Sequence, residues 1–295
     1  MTKDKFKLIL AMALWGSIGI FVRQIPLSSA AIAMYRAIIG SLFLAALFLL
    51  RKRPLPAAAF RRNLPILLLS GTAIAANWIL LFQAYRYTTV PIATLSYYFA
   101  PVFVMILSPF LLKERLTTRK FICILAAMAG MVLIIGIGGG DGQAYRHPVG
   151  IAYGLGAAAL YAGVMLSNQF LRQIEGMEIT LSQLAIAALV LIAYVAFTEG
   201  GSALVIPAAS LPALILLGIV HTGICYYLYF SSMQGLGAQT VAVLSYIDPV
   251  SSVLFAGLFL GEQLGLLQMA GGILILGSAL LGSRASDSRQ ISKHR

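Results

Sequence analysis

The stretch YFAPVFVMILSPFLLKERL at residues 98–116 has a counterpart, YIDPVSSVLFAGLFLGEQL, at residues 246–264. An offset of 148 positions, without a gap, pairs a tyrosine, a proline and a glutamate with identical residues: Tyr98 with Tyr246, Pro101 with Pro249 and Glu114 with Glu262. Two apolar segments that resemble each other by chance rarely share both a proline inside the segment and a glutamate at its end. Because the offset is half the 295-residue length, the chain is predicted to be a duplicated unit.

The composition is typical of a membrane protein. Hydrophobic residues make up 60% of the chain and charged residues only 10%, which lies outside the range of soluble globular proteins. The net charge of +12 does not indicate nucleic-acid binding, because no basic stripe is interleaved with stacking aromatic residues. The two cysteines, Cys123 and Cys225, lie in apolar runs without a neighbouring ligand, so neither a disulfide nor a metal site is predicted. No cofactor motif is present.

Ten apolar spans can be counted, each of roughly the 20 residues that cross a bilayer core as a helix. They cover residues 6–22, 29–50, 64–86, 90–112, 119–138, 149–171, 180–198, 211–233, 238–260 and 265–283. The fold prediction is an all-α polytopic membrane protein of ten transmembrane helices. The first repeat covers 6–138, the second 149–283, and residues 284–295 form a tail.

The basic residues predict the orientation. If the N-terminus is cytoplasmic, the outer ends hold only Arg23, Arg86 and Arg146, while most of the 21 lysine and arginine residues fall on the inner side. Both termini and the tail are therefore predicted to be cytoplasmic. A unit of five spans enters the membrane upside down in its second copy, and such inverted repeats are a basis for alternating access.

The matched residues carry a resemblance to the EamA domains of the drug/metabolite transporter superfamily, with one domain in each half. The motifs are Leu14-Trp15-Gly16-Ser17, Tyr35-Arg36, the series from Leu95 through Pro101-Val102 to Leu112-Lys113-Glu114-Arg115-Leu116, and Leu244-Ser245-Tyr246, Pro249-Val250 and 258–264 in the second half. The resemblance implies a secondary transporter of small organic solutes, often an exporter of metabolites or amino acids, in the inner (plasma) membrane. One departure is that Arg36 has no basic match in the second half, where Gln183 lies near the corresponding place.

Two charged residues lie within predicted spans, Arg36 in the second and Asp248 in the ninth. A charge at the bilayer centre costs about 2.5–3.5 kcal/mol on insertion scales, so each needs a reason. One interpretation is that they pair with each other, or with backbone carbonyls, as structure. The other is that they line a cavity, where they bind opposite charges of a substrate or exchange a proton.

His221 lies near the middle of the eighth span. A lone histidine on an apolar helix is more often a hydrogen-bonded core residue. The alternative is a proton-coupling role with Asp248, because imidazole changes charge near neutral pH. One histidine with one aspartate does not make a metal site.

Polar and aromatic groups at comparable depth complete the candidate site: Trp15, Asn77, Trp78, Tyr98, Tyr161 and Tyr226-Tyr227. Of these, Trp15, Asn77, Tyr98 and Tyr161 are predicted, together with Arg36 and Tyr246, to bind substrate. Packing is the alternative for any single aromatic residue. Pro101 and Pro249 are predicted to kink spans four and nine, each freeing a carbonyl four residues earlier, at Tyr97 and Ser245.

Two further features concern helix ends and packing. Glu114 and Glu262 are interpreted as markers of helix ends at the membrane interface. The small-residue runs 126–130 and 270–272 suit close helix packing, either inside the bundle or in a dimer. The sequence leaves monomer and homodimer open.

The functional prediction is secondary transport of an amino acid or related zwitterion, with export favoured and Asp248 as the proton-coupling residue. Its partners are the lipid bilayer, the small-molecule solute and H⁺. Export of amphipathic cations or drugs is the alternative. A channel is less favoured, and an intramembrane enzyme least, because Asp248 has no second intramembrane carboxylate and no nucleophile motif accompanies His221.

Overall fold

The structure is a computed structural model that describes residues 2–22, 25–50, 57–88, 93, 96–114, 116–135, 146–200, 205–260, 266–267, 269–278 and 281. Within these ranges all regular secondary structure is helical, which confirms the all-α prediction. The helices, in chain order, are α1 (Lys3–Trp15), α2 (Ile18–Val22), α3 (Ser29–Leu50), α4 (Ala57–Tyr87), α5 (Ala100–Leu111), α6 (Thr118–Ile135), α7 (His147–Ser167), α8 (Gly176–Thr198), α9 (Leu211–Leu216), α10 (Cys225–Met233), α11 (Ala238–Leu244), α12 (Ile247–Leu260) and α13 (Met269–Ser278). A π-helical segment, Leu217–Ile224, joins α9 to α10.

Six helical stretches of the described chain are long and apolar enough to cross a membrane. They are Lys3–Val22, Ser29–Leu50, Ala57–Ala84, His147–Phe170, Gly176–Thr198 and Ala208–Met233. Each coincides with a predicted span. The helices α5 and α13 are apolar but shorter. The chain is therefore a multi-pass membrane protein, and the count of ten spans remains a prediction.

Helix breaks occur at matched places in the two halves. Tyr98 and Phe99 form a turn before α5, and Ser245 and Tyr246 form a turn between α11 and α12. Each proline consequently lies in the first turn of a helix, where its missing N–H would have no helical partner anyway. The structure thus has helix breaks at these prolines rather than kinks in continuous spans.

The carbonyl of Ser245, which the predicted kink would have left free, accepts the N–H of Asp248 at 3.3 Å. The turn therefore satisfies this backbone group without a ligand. It also sets Asp248 at the beginning of α12, where the partial positive charge of a helix N-terminus favours a carboxylate.

Helices of the first half pack mainly on helices of the second half. The helix α1 lies against α10 and α12, α3 against α8, α4 against α7, and α5 against α7 and α11. Glycines allow close approach of helices both between the halves and within the second half. A Cβ added to Gly154 of α7 would lie 2.6 Å from Cβ of Ser96, and one added to Gly176 would lie 2.6 Å from Ser231. Close backbone contact through small residues is the usual basis of helix association in membranes.

The two small-residue runs pack on each other inside the chain. A Cβ on Gly130 of α6 would lie 2.7 Å from the carbonyl oxygen of Gly271 in α13 and 2.7 Å from Ile275. The runs therefore form a packing contact within the bundle, which is one of the two interpretations that the sequence left open.

Glu114, just after α5, does more than end a helix. Its carboxylate accepts the backbone N–H groups of Ala238 at 3.0 Å and Gln239 at 3.4 Å, in the first turn of α11. It therefore caps a helix of the other half, satisfying donors that a helix start leaves open. Its match, Glu262, lies outside the described residues.

Candidate functional site

A cavity of about 340 Å³ lies between the helices of the two halves. Its aromatic lining consists of Trp15, Trp78, Phe82, Tyr97, Tyr98, Tyr161 and Tyr226. Its charged lining consists of Arg36 and Asp248. A concave site of this size, mostly apolar with a few polar groups, is the usual form of a small-molecule site.

Arg36, on α3, is held on two sides. Its Nε donates a hydrogen bond of 3.1 Å to Oγ1 of Thr222. Its guanidinium carbon lies 5.5 Å from the ring centroid of Trp78, within the range of a cation–π interaction. Both contacts stabilise the cation at the cavity wall, and no carboxylate among the described residues forms an ion pair with it.

Asp248 is on α12, on the second half. Its Oδ2 accepts a hydrogen bond of 3.0 Å from the hydroxyl of Tyr98. No ion pair joins Asp248 to Arg36 in the described part of the chain. The structural pairing that the sequence left open is therefore not observed, and the cavity contains two opposite charges that do not neutralise each other by direct contact.

The aromatic residues form a connected wall. The Trp15 ring lies 4.8 Å from that of Tyr226 and 5.2 Å from that of Tyr229. Tyr226 in turn lies 6.0 Å from Trp78, and Tyr161 is 6.3 Å from Tyr229. Tilted, edge-on and stacked ring pairs at these separations are favourable, so the rings of this wall stabilise one another.

Asn77 and Tyr246 lie behind the cavity wall. Asn77 is only 2% exposed, and its Nδ2 donates to the carbonyl of Ala157 at 2.6 Å, which ties α4 to α7. Tyr246 is completely buried, and its hydroxyl donates to the carbonyl of Tyr98 at 3.0 Å. Neither residue is among those that line the cavity.

His221 also lies outside the lining. It is 2% exposed in the π segment, its Nε2 is 2.8 Å from Oγ of Ser17, and its ring lies 5.4 Å from that of Phe21. Its carbonyl accepts the indole N–H of Trp15 at 2.7 Å. The contacts of His221 with Trp15 and Ser17 thus run to the first span, Lys3–Val22, whereas the hydrogen bond of Asp248 runs to Tyr98.

The structure brings together Trp15, Arg36, Tyr98, Tyr161 and Asp248 of the predicted site, with Pro101 beside them. Phe82 and Tyr97 were missed, and Trp78 and Tyr226 were noticed at this depth without being assigned to the site. A signal for the last two was available, because the 148-position offset places Trp78 on Tyr226.

A second, polar cavity of about 460 Å³ adjoins the first and shares Ser29 and Phe82 with it. Arg86 and Glu199 line it, and Ser28 donates a 2.5 Å hydrogen bond to Glu199. This vestibule lies where α3 begins and where α4 and α8 end. Within the described ranges, no three side chains of the types that bind metals come together.

Comparison with known proteins agrees with this architecture. The profile of the EamA-like transporter family matches residues 6–136 and 148–284. An uncharacterized transporter of Archaeoglobus fulgidus is 28% identical over 281 residues, which is 94% of this chain and 95% of the relative. The uncharacterized transporter YxxF of Bacillus subtilis (strain 168) is 27% identical over 275 residues, 93% of this chain and 88% of the relative.

A protein of known crystal structure superposes with a TM-score of 0.85, covering 96% of this chain and 98% of its own. At 19% identity that match concerns the fold alone. The family profile, in contrast, accounts for both halves of the sequence, on either side of the junction between them. The chain therefore belongs to the EamA-like transporter family and is a multi-pass membrane transporter.

Proposed function

We propose that this protein is a secondary transporter that moves a small zwitterionic solute, an amino acid or a related metabolite, by alternating access. The observation that carries the proposal is the presence of Arg36 and Asp248 in one cavity without an ion pair between them. Charges inside a membrane are expensive, so two charges kept apart imply a ligand that binds both.

The chemistry of recognition follows from the two side chains. The guanidinium of Arg36 suits a carboxylate, which it binds through two parallel hydrogen bonds. The carboxylate of Asp248 suits an ammonium group. The ring faces of Trp15, Tyr161 and Tyr226 accommodate the remaining, less polar part of the solute.

Alternating access requires two related halves. We interpret residues 6–138 and 149–283 as inverted repeats of five spans each, giving ten spans in all. The packing supports this interpretation because it is reciprocal: α1 lies on α10 as α4 lies on α7. Matched residues also contact each other, as expected near a two-fold axis, with ring centroids 6.1 Å apart for Tyr98 and Tyr246.

We assign both termini and the tail 284–295 to the cytoplasm and the protein to the inner (plasma) membrane. The distribution of basic residues supports this orientation. The vestibule would then face the outside, and export would proceed from the Glu114 end toward it.

Asp248 is the proposed coupling residue. When the cavity holds no ammonium group, a proton is the partner that removes the penalty for a charge in a medium of low dielectric constant. Proton and ammonium would then compete for one carboxylate, which couples solute release to proton uptake. His221 has no hydrogen bond to Asp248 in the described chain, so Asp248 carries this proposal by itself.

Flux in proteoliposomes tests the function. An imposed pH gradient should drive transport of an amino acid by the purified protein in the direction opposite to the protons, saturably and without chemical change. Binding can be followed independently, because Trp15 and Trp78 are the two tryptophans of the chain and both line the cavity. Unsaturable flux would indicate a channel, and product formation an enzyme.

Export of amphipathic cations is the second candidate, favoured by the aromatic wall next to Asp248. Substitution of Arg36 separates the two. Arg36→Gln removes the carboxylate partner, so it should abolish binding of a zwitterion and leave binding of a cation intact. If tryptophan fluorescence responds to cations and to none of the amino acids, the zwitterion proposal is wrong.

A further inference from the structure

The π segment Leu217–Ile224 contacts Arg36 through the hydrogen bond to Thr222. It interrupts the span Ala208–Met233 with eight residues of wider helical turn. Such segments are rare and are found frequently at functional sites, because the wider turn shifts side chains and carbonyls out of the regular helical register. Thr222 is the residue through which this segment contacts the cavity-lining Arg36.

The hydroxyl of Thr222 has fixed donor and acceptor roles. Thr222 is completely buried, and its Oγ1 donates to the carbonyl of Leu217, five residues earlier, at 2.8 Å. A hydroxyl has one proton to donate and two lone pairs to accept with. Because Leu217 takes the proton, Thr222 is left as an acceptor, and Nε of Arg36 donates to it at 3.1 Å.

Glycines fix the π segment against α3 one turn beyond Arg36. A Cβ on Gly218 would meet the Ile39 side chain, and one on Gly223 would lie 2.8 Å from Phe43. A Cβ on Gly40 would lie 3.0 Å from both the Gly218 carbonyl and the methyl of Thr222. Since residues four apart share one helix face, Arg36 and Gly40 both pack against the π segment.

The π segment also holds a second residue of the cavity wall, Trp15. The carbonyl of His221 accepts the indole N–H of Trp15, while Thr222 holds Arg36. The face of Trp78 lies 5.5 Å from the Arg36 guanidinium. The guanidinium is thus restrained by a hydrogen bond at Nε and by a ring.

We propose that Thr222 is the positioning residue of the site: by holding Nε of Arg36, it aims the two terminal nitrogens at the cavity and so determines the preference for a carboxylate. An arginine has five N–H donors in a rigid fork, so engagement of Nε leaves the four on the terminal nitrogens for a bidentate pair. The inference rests on the proposed function, in which Arg36 binds the carboxylate of the solute.

The test compares Thr222→Val, which keeps the shape and removes the hydroxyl, with Thr222→Ser, which keeps the hydroxyl. Benzoate and benzamide serve as probes, because they fit an aromatic cavity and differ in the carboxylate alone. Their dissociation constants are measured by tryptophan fluorescence in the full-length protein. Wild type should prefer benzoate, Thr222→Val should lose about three- to tenfold of this preference, and Thr222→Ser should retain it.

A ligand-free measurement accompanies this test. In a Trp15→Phe background, emission comes from Trp78, beside the guanidinium. Thr222→Val should change that emission in the direction that Arg36→Gln does, and Thr222→Ser should not. A general loss of structure would not be restored by serine and would lower binding of both probes equally.

The outcomes separate the two proposals. If Arg36→Gln abolishes the preference for benzoate and Thr222→Val leaves both the preference and the Trp78 emission unchanged, Thr222 does not position the guanidinium. If Arg36→Gln itself leaves the preference unchanged, Arg36 does not bind carboxylates, and the proposed function fails together with this inference.

Discussion

The contact of Glu114 with α11 gives the sharpest energetic prediction. Its carboxylate accepts two backbone N–H groups of the other half, at 3.0 and 3.4 Å. Removal of a capping side chain costs about 0.5–2 kcal/mol, and the charge at a helix N-terminus contributes about 0.3–1 kcal/mol. We therefore expect Glu114→Ala to weaken the contact between the halves by about 1–2 kcal/mol. Glu114→Gln, which keeps one acceptor oxygen, should weaken it by less.

Gly237 offers a second route to the same contact. A Cβ at this position would lie 2.9 Å from Oε1 of Glu114. Gly237→Ala should therefore displace the carboxylate while leaving its charge in place. Agreement between Gly237→Ala and Glu114→Ala would exclude an effect of net charge alone.

The expected consequence is easier opening at this end, because 1.4 kcal/mol corresponds to tenfold in an equilibrium constant. The assay uses Val241→Cys, on α11 and completely buried, in a chain whose two native cysteines, Cys123 and Cys225, are replaced by alanine. Its rate of reaction with a soluble maleimide in proteoliposomes should rise by about fivefold to thirtyfold in Glu114→Ala.

Glu199 is the matched control, because its carboxylate joins the halves at the vestibule through Ser28. Glu199→Gln should not increase labelling of the cysteine at position 241. If Glu114→Ala and Gly237→Ala both leave the labelling rate unchanged, the contact does not keep this end closed and the reasoning is refuted.

Three other changes have defined outcomes. Asp248→Asn should abolish solute movement driven by a pH gradient and should also weaken binding of a zwitterion, because it removes both the proton site and the partner of the ammonium group. Gradient-driven transport that persists would contradict proton coupling through this residue. Arg36→Gln should weaken binding of a carboxylate solute by at least tenfold in a fluorescence titration, since a charged hydrogen bond contributes about 1.5–3 kcal/mol, and undiminished affinity would rule out a carboxylate partner. Gly130→Ala should lower the midpoint of thermal unfolding, because the new Cβ would lie 2.7 Å from the Gly271 carbonyl oxygen. Gly163→Ala is the control and should leave the midpoint unchanged, because nothing lies within 4 Å of its Cβ position. Equal effects of the two substitutions would show that the close contact is unimportant for stability.

The position of a helix along the chain could be predicted from the sequence because a bilayer demands a fixed apolar length. The spans predicted to begin at Phe6, Ser29 and Thr180 followed from that demand. The sequence could also predict that Arg36 and Asp248 lie in a common cavity, because charged side chains within a membrane are found mainly where protein encloses them. The same reasoning says nothing about the direction in which a helix faces.

Asn77 illustrates the limit. Asn77 lies at the depth of the cavity, but its amide points toward the Ala157 carbonyl. The sequence predicts how deep a residue lies in the membrane, whereas helix packing determines which way its side chain points. The break at Tyr98 could not be foreseen either, because Pro101 is compatible with both a kink and a helix start. The π segment around Thr222 could not be foreseen either, because glycines that pack closely against another helix are equally compatible with a regular α-helix.

The seam between α6 and α13 has a mechanical consequence. Backbones that meet at the distance of Gly130 and Gly271 leave no room for one helix to slide along the other. None of the described residues of these two helices lines the cavity. In the proposed rocking of the two halves, we therefore expect the least relative displacement at this contact and more displacement with distance from it.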